Sequence, residues 1–86
     1  MKINLQILGV LIMTIGEKVS EYCNRNRISH FEFATMAGMT SVSIGRLTTN
    51  NLPNVAYLVN IARVLNEGFG DMMKEHYETL AERIDS

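Results

Sequence analysis

The sequence predicts an all-α fold, and three observations support this prediction. The chain has one proline and no tryptophan among 86 residues, and runs of helix-forming residues fill most of it. Apolar residues make up 47% and charged residues 20%, which is the composition of a folded domain rather than a disordered segment. Apolar side chains also recur at helical spacing in five successive segments. A chain of this length forms one small domain with a modest core, which a partner subunit commonly completes.

Capping boxes mark the beginnings of the first two predicted helices. Thr14 and Ser29 are each followed three residues later by a glutamate, Glu17 or Glu32, so that side chain and backbone can bond reciprocally. We expect the two helices to run to about residues 26 and 36. Their predicted buried residues are Ile15, Val19, Tyr22 and Cys23 in the first helix and Phe33, Ala34 and Ala37 in the second.

A tight turn is predicted to lead into a short third helix. Gly38 can adopt the left-handed backbone conformation that such a turn needs, and Met39 is expected to fill the core. Either Thr40 or Ser41 can cap the third helix. The predicted buried residues of this helix are Ile44 and Leu47.

A polar loop separates the third helix from the fourth. Asn50 and Asn51 tolerate positive φ, and Pro53 is typical of a loop. Asn54 is predicted to cap the fourth helix, which ends in residues 66–68. Its predicted inward residues are Tyr57 or Leu58, Ile61, Ala62 and Leu65.

The fifth predicted helix runs from about Gly70 to Ile84 and carries an apolar seam with heptad-like spacing. The members of this seam are Met73, Tyr77, Leu80 and Ile84. We interpret the seam as a homodimer contact, and packing against its own domain is the alternative.

The first thirteen residues, MKINLQILGVLIM, form an apolar extension before the helices. Ile3, Leu5 and Ile7 alternate with polar residues, which is the period of a strand. A lone strand needs a partner for its backbone, so we expect a dimer contact here. The segment lacks the small-residue cleavage site of a secretory signal and is shorter than a membrane span. Alternatively, Met13 is the natural start of the protein.

The charge distribution and the single cysteine predict a cytoplasmic protein that is able to bind nucleic acid. Residues 1–70 carry six basic and four acidic side chains, whereas residues 71–86 carry two basic and five acidic ones. The body is therefore mildly basic, with a net charge of +2, and the tail is acidic, at −3. Cys23 cannot form an internal disulfide, which favours a reducing compartment.

Several residues between Ile15 and Met73 follow a known order. Ala34 lies four residues before the turn residue Gly38, an apolar residue follows that glycine, and a later proline precedes the helix LVNIARVL. In this order the chain resembles the Cro/CI-type helix-turn-helix family, also called phage-repressor-like or XRE. The resemblance implies a lambda-repressor-like helix-turn-helix domain over residues 14–73, whose last helix continues through residues 74–86.

The resemblance also implies which residues meet DNA. In such a domain the second helix of the motif enters the major groove, and the helix before it crosses the phosphate backbone. The implied contact residues are His30, Thr40, Ser41, Val42, Ser43, Arg46, Thr49, Asn50 and Asn51. Val42 is expected to pack on a thymine methyl group. For Arg46 a guanine, a phosphate and an internal ion pair with Glu32 all stay open, and His30 would meet phosphate or brace a base-reading side chain.

The function implied by the resemblance is a sequence-specific regulator of transcription, typically a repressor of phage or mobile-element type. It would bind double-stranded DNA, on a palindromic operator, as a homodimer. The rival hypothesis is a protein-binding module, such as an antirepressor or an inhibitor of a host defence nuclease, which the acidic tail favours. We expect no enzyme activity, cofactor or metal, because His30 and His76 lie far apart and no zinc-site or phosphate-loop motif occurs. We expect His76 to lie at the surface or at an interface.

Overall fold

The computed structural model describes residues 12–85, and in that range the chain forms five α-helices and no strand. The helices are α1 (Ile15–Asn26), α2 (His30–Met36), α3 (Ser41–Leu47), α4 (Val55–Leu65) and α5 (Phe69–Asp85). The predicted all-α class and the predicted number of helices are therefore confirmed. None of the helices in this part of the chain is long and apolar enough to cross a membrane.

The starts of the first four helices are stabilised by the caps that the sequence predicts. The Thr14 hydroxyl accepts the N–H of Glu17 at 3.2 Å, and the Glu17 carboxylate accepts the N–H of Thr14 at 3.0 Å. Ser29 and Glu32 form the same box, with both distances at 3.0 Å. The remaining two caps are the side chains of Thr40 for α3 and Asn54 for α4. Each such cap is worth about 1 kcal/mol to the helix that it begins.

Helix α1 lies at the centre of the domain and packs against the other four helices. Its buried residues Ile15, Val19 and Cys23 belong to one apolar core with Phe33 of α2 and Ile61 of α4. The other buried apolar residues are Ala34, Ala37, Met39, Ile44, Leu47, Leu58, Ala62 and Met72. The core residues predicted from periodicity are thus confirmed, except that Tyr22, Tyr57 and Leu65 are only partly buried.

Helix α5 is held against the domain by a face that the apolar seam does not include. The buried residues of α5 are Met72, His76 and Thr79, which recur at intervals of four and three. The prediction that His76 lies at the surface or at an interface is wrong, because its side chain is only 1% exposed. Its Nδ1 accepts the N–H of Ile15 at 3.0 Å, so a buried imidazole satisfies a backbone donor at the start of α1.

A second polar contact ties α1 to the last part of the chain. Lys18 donates to the carboxylates of Glu67 and Glu75 at 2.9 and 3.0 Å, with its side chain only 12% exposed. Burial opposes the charge on Lys18, but the two carboxylates outweigh this effect and raise the pKa of its ammonium group. Glu75 also accepts the N–H of Met13 at 2.8 Å. Residues 13–18 are therefore bound to α5 at several points.

The apolar extension lies mostly outside the described residues. The predicted strand and its three dimer-contact residues, Ile3, Leu5 and Ile7, all belong to residues 1–11. Their assignment stays a prediction.

Candidate functional site

The candidate site is built on the turn between α2 and α3, which comprises residues 37–40. Gly38 adopts a φ of +65°, a conformation that side-chain-bearing residues rarely adopt. The next residue, Met39, is buried in the core, and its N–H donates to the carbonyl of Ala34 at 2.8 Å. The predicted roles of Gly38 and Met39 are confirmed. Together they determine the direction in which α3 leaves the turn.

Helix α3 has one buried side and one exposed side. Ile44 and Leu47 are buried, as predicted. The exposed residues of the helix are Ser41, Val42, Gly45 and Arg46, while Ser43 is partly buried. Val42 is 63% exposed although it is apolar. Two helical turns thus present a small-residue surface, bounded by one valine and one arginine, to the outside.

The position of α3 depends on a close contact with α1 at Gly16. A Cβ atom at this position would overlap with the carbonyl oxygen of Leu47 and would lie 3.0 Å from its carbonyl carbon. The absence of a side chain at Gly16 therefore lets the backbone of α1 approach the C-terminal end of α3 directly. The sequence alone does not indicate this contact, since it joins two residues that lie far apart in the chain.

Most hydroxyl groups around α3 already have partners within the protein. Thr40 donates to the Ser43 hydroxyl oxygen at 3.0 Å, and Thr48 donates to the carbonyl of Gly45 at 2.7 Å. Thr49 donates to the carbonyl of Arg46 at 3.0 Å. These three donors are directed back at the helix. Ser41, by contrast, forms no side-chain hydrogen bond with any described residue and is free to meet a ligand.

Arg46 is exposed on α3, and no ion pair joins it to any residue in the described range. The internal pair with Glu32, one of the three interpretations of this arginine, is not formed. The Glu32 carboxylate instead accepts the N–H of Ser29 in the capping box of α2. The guanidinium of Arg46 is therefore available to a partner outside the domain.

The remaining predicted contact residues are exposed on either side of α3. His30 is the first residue of α2 and makes no hydrogen bond to the α3 residues in the structure. Thr49, Asn50 and Asn51 follow α3 in an exposed turn, where Asn50 has a positive φ of 62°, a conformation that asparagine tolerates. The Asn51 side-chain amide donates to the Thr49 hydroxyl at 3.2 Å. Asn50 thus makes the bend after α3, and Asn51 stiffens it.

Two exposed apolar residues of α2 are not among the contact residues predicted from the sequence. Phe31 is 68% exposed, and Met36 at the other end of α2 is also exposed. Both lie off the buried stripe of Phe33, Ala34 and Ala37, so their position outside the helical period was the signal that could have identified them. Large apolar side chains that stay in contact with solvent on such a short helix are candidates for contact with a partner.

The predicted dimer residues on α5 differ in exposure. Tyr77 and Ile84 are exposed, Ile84 at 82%, whereas Met73 and Leu80 are partly buried. Phe69, four residues before Met73 at the start of the helix, is also exposed. The seam thus lies beside the buried face of α5, with half of its members accessible to another molecule.

No group of three or more His, Cys, Asp or Glu side chains in residues 12–84 is arranged to hold a metal ion. Comparison with known proteins gives no further guide to the chemistry of the site. No protein-family model matches the chain, and no curated protein or solved structure matches it either.

Proposed function

We propose that this protein is a sequence-specific, double-stranded-DNA-binding regulator of transcription, in the manner of the Cro/CI-type helix-turn-helix proteins that its sequence resembles. The observation that carries the proposal is the exposed side of α3, which follows a tight glycine turn and presents Ser41, Val42 and Arg46 without side-chain hydrogen bonds or ion pairs to the described residues. A helix presented in this way fits the major groove, while the preceding helix crosses the phosphate backbone.

Each exposed side chain of α3 has a distinct role in this proposal. Arg46 is the only cation on the helix, and a bidentate contact to a guanine would contribute about 1–3 kcal/mol of discrimination between bases. Ser41 donates to or accepts from a base edge, and Val42 contacts a thymine methyl group. Asn50 and Asn51 position the domain on phosphate through their side-chain amides, because the backbone N–H groups of residues 49–51 already donate to carbonyls of α3.

The low charge of this surface requires more than one subunit. Binding that depends on phosphate neutralisation weakens as fewer Lys or Arg side chains take part, and α3 supplies only Arg46. Two copies on a palindromic operator, with half-sites roughly 34 Å apart, would double the contacts. The seam of Met73, Tyr77, Leu80 and Ile84 is the surface that we propose for this homodimer.

The direct test measures binding of wild-type protein to the DNA upstream of its own gene, by fluorescence anisotropy at two salt concentrations. We expect sequence-preferring binding that weakens with salt, and a loss of roughly 5- to 150-fold in the Arg46→Ala variant. Arg63→Ala is the matched control, because Arg63 is an exposed arginine on α4 that no described residue pairs with. Wild-type protein that shows no sequence preference on any duplex would refute the proposal.

A protein-binding module is the second candidate function, and the exposure of Phe31, Met36 and Val42 favours it. These three apolar side chains lie on α2 and α3. Together with the acidic charge of residues 71–86, they are suited to a protein partner rather than a polyanion. Titration against proteins encoded by adjacent genes separates the two functions. A protein contact would be lost in Phe31→Ala and retained in Arg46→Ala, whereas DNA binding would show the opposite pattern.

A further inference from the structure

The buried face of α5 adds little apolar surface to the domain. Its buried residues are Met72, His76 and Thr79. Met72 belongs to the apolar core, with the partly buried Met73 beside it, and the other buried members of that core lie in residues 15–62. The Thr79 hydroxyl is satisfied within α5, because it donates to the carbonyl of Glu75 at 2.7 Å. Since hydrophobic stabilisation grows with buried apolar area, apolar contacts attach α5 more weakly than they attach α1–α4 to one another.

Polar contacts attach α5 to the start of α1, and each of them contains a glutamate or a histidine. In the described part of the chain, the contacts between residues 13–18 and α5 are Met13 with Glu75, Ile15 with His76, Glu17 with Arg83 and Lys18 with Glu75. Acid protonates the carboxylate or the imidazole in every one of these pairs. The contact of α1 with α3, by contrast, consists of Gly16 against the backbone of Leu47 and of apolar core residues, which do not titrate.

The hydrogen bonding of His76 suits the neutral ring and not the charged one. Its Nδ1 accepts the N–H of Ile15 at 3.0 Å, so Nε2 carries the proton of the neutral imidazole. Nε2 is buried and has no hydrogen-bond partner in the described range. In the protonated ring both nitrogens are donors, so Nδ1–H would face the N–H of Ile15 and Nε2–H would still have no acceptor. A buried charge without partners is strongly disfavoured.

No charged neighbour offsets the burial of a protonated His76. Helix α5 packs against α1 and α4. The titratable groups next to the contact are Glu17 and Lys18 in the first turn of α1, Glu75 and Tyr77 beside His76 on α5, and Tyr57 and Arg63 of α4. None of them forms a hydrogen bond or an ion pair with the imidazole, and the Tyr77 ring packs on it at nearly a right angle, with 5.2 Å between ring centroids. Burial accordingly lowers the pKa of His76.

We propose that α5 is an acid-releasable helix, in which protonation of His76 detaches α5 from α1 while the core of α1–α4 stays folded. The docked arrangement needs an acceptor at Nδ1, whereas the released arrangement exposes the ring to water and binds the proton freely. Release is therefore favoured as the pH falls below about 6.5, where an exposed histidine takes up a proton. The release acts on the domain itself and does not depend on the proposed DNA-binding function.

Amide hydrogen exchange of the full-length protein, followed by NMR between pH 7.5 and 5 and corrected for the intrinsic exchange rate, tests the release. The amide of Ile15 reports on the bond to His76, and the amide of Met39, which donates to the carbonyl of Ala34, reports on the α1–α4 core. We expect the protection of Ile15 and of the α5 amides to fall by about tenfold for each pH unit below about 6.5, as one titrating group dictates. At pH 5, Met39 should remain at least about tenfold better protected than Ile15. Equal protection of the two amides at every pH would overturn the proposal, because α5 would then open only with the whole domain.

His76→Asn tests whether the imidazole is the trigger. The asparagine side-chain oxygen can accept the N–H of Ile15 but does not titrate, so the pH dependence of Ile15 exchange should disappear. His30→Gln, which removes the exposed histidine, should keep it. A pH dependence that survives in His76→Asn would contradict the proposal. Nitrogen-15 NMR of the wild-type imidazole at pH 7.5 tests the same contact without a substitution: Nε2 should carry the proton, and a protonated Nδ1 would overturn the proposal.

Discussion

Replacement of Gly16 by alanine should separate α1 from α3 and destabilise the domain. The added methyl group would overlap with the carbonyl oxygen of Leu47, which is backbone and cannot move aside as a flexible side chain would. Relief of the overlap requires the two helices to shift apart, although both are joined to the same core through Ile15 and Ile44.

The expected magnitude follows from two opposing contributions. Overpacking in a close-packed region costs about 1–3 kcal/mol, and a contact with backbone falls at the upper end of that range. Alanine in a helix recovers up to about 1 kcal/mol relative to glycine. The net loss of unfolding free energy in Gly16→Ala is therefore about 2 kcal/mol. In a domain of this size such a loss lowers the melting temperature by about 8–16 °C.

Urea and thermal unfolding, followed by far-ultraviolet circular dichroism, measure this difference directly. The matched control is Gly45→Ala, the same substitution in a helix where a Cβ atom meets nothing. It should raise the unfolding free energy by about 0.5–1 kcal/mol, so the two variants should move in opposite directions. A Gly16→Ala protein as stable as wild type would refute the close approach of α1 and α3.

Three further predictions concern the contacts of α5. Burial lowers the pKa of His76, so the unfolded chain binds a proton more readily than the folded protein does. The contribution of His76 to stability should therefore be complete above about pH 6.5 and should fall as the pH is lowered further. The urea concentration at the unfolding midpoint should therefore decrease between pH 7.5 and 5. His76→Leu should reduce this pH dependence, whereas His30→Gln, at an exposed position, should preserve it. Lys18→Met should lower the unfolding free energy by about 1–3 kcal/mol, because it leaves two adjacent carboxylates without their shared cation. Lys74→Met, at an exposed position, should change the unfolding free energy by less than about 0.5 kcal/mol. Equal losses in the two variants would contradict a structural role for the buried ammonium group. Tyr77→Glu in the α5 seam should convert the proposed homodimer to monomer in sedimentation velocity, and a wild-type protein that is monomeric at all concentrations would exclude that dimer.

The helices and their caps were predictable because their signals are local. Thr14 and Glu17 lie three residues apart, and the two side-chain-to-backbone hydrogen bonds between them depend on that spacing alone. The same holds for the turn, where Gly38 needs only its own freedom at positive φ. A single sequence contains all the information that such contacts require.

The inward face of α5 could not be predicted in the same way. His76 is a polar residue in the sequence, which favours a surface position. The apolar seam, one position along the helix, is a clearer hydrophobic stripe than the face that is actually buried. His76 is buried where its Nδ1 accepts the N–H of Ile15, a residue distant in the chain. Burial of a polar side chain therefore depends on a tertiary partner that helical periodicity does not reveal.

The exposed side of α3 was predictable as a surface but not as a chemical pattern. The helical spacing of the buried residues Ile44 and Leu47 predicts which residues face outward, and the structure confirms that Val42 and Arg46 do so. The orientation of the surrounding hydroxyls is not predictable in this way, because the Thr48 hydroxyl can donate either to a helix carbonyl or to an external acceptor. Only the folded arrangement shows that it donates to Gly45.

The first turn of α1 joins the two surfaces to which we assign a function. Ile15 is bonded to His76 of α5 through its N–H, and the next residue, Gly16, lies against the last residue of α3. Two consecutive residues of α1 therefore contact both α3 and α5, the helix that carries the proposed dimer seam. Because α1 is in close contact with both helices at this point, a shift of α1 away from either of them would break a contact. Two subunits that associate through α5 would consequently hold their α3 helices at a fixed separation, which is the geometric condition for reading two half-sites at once.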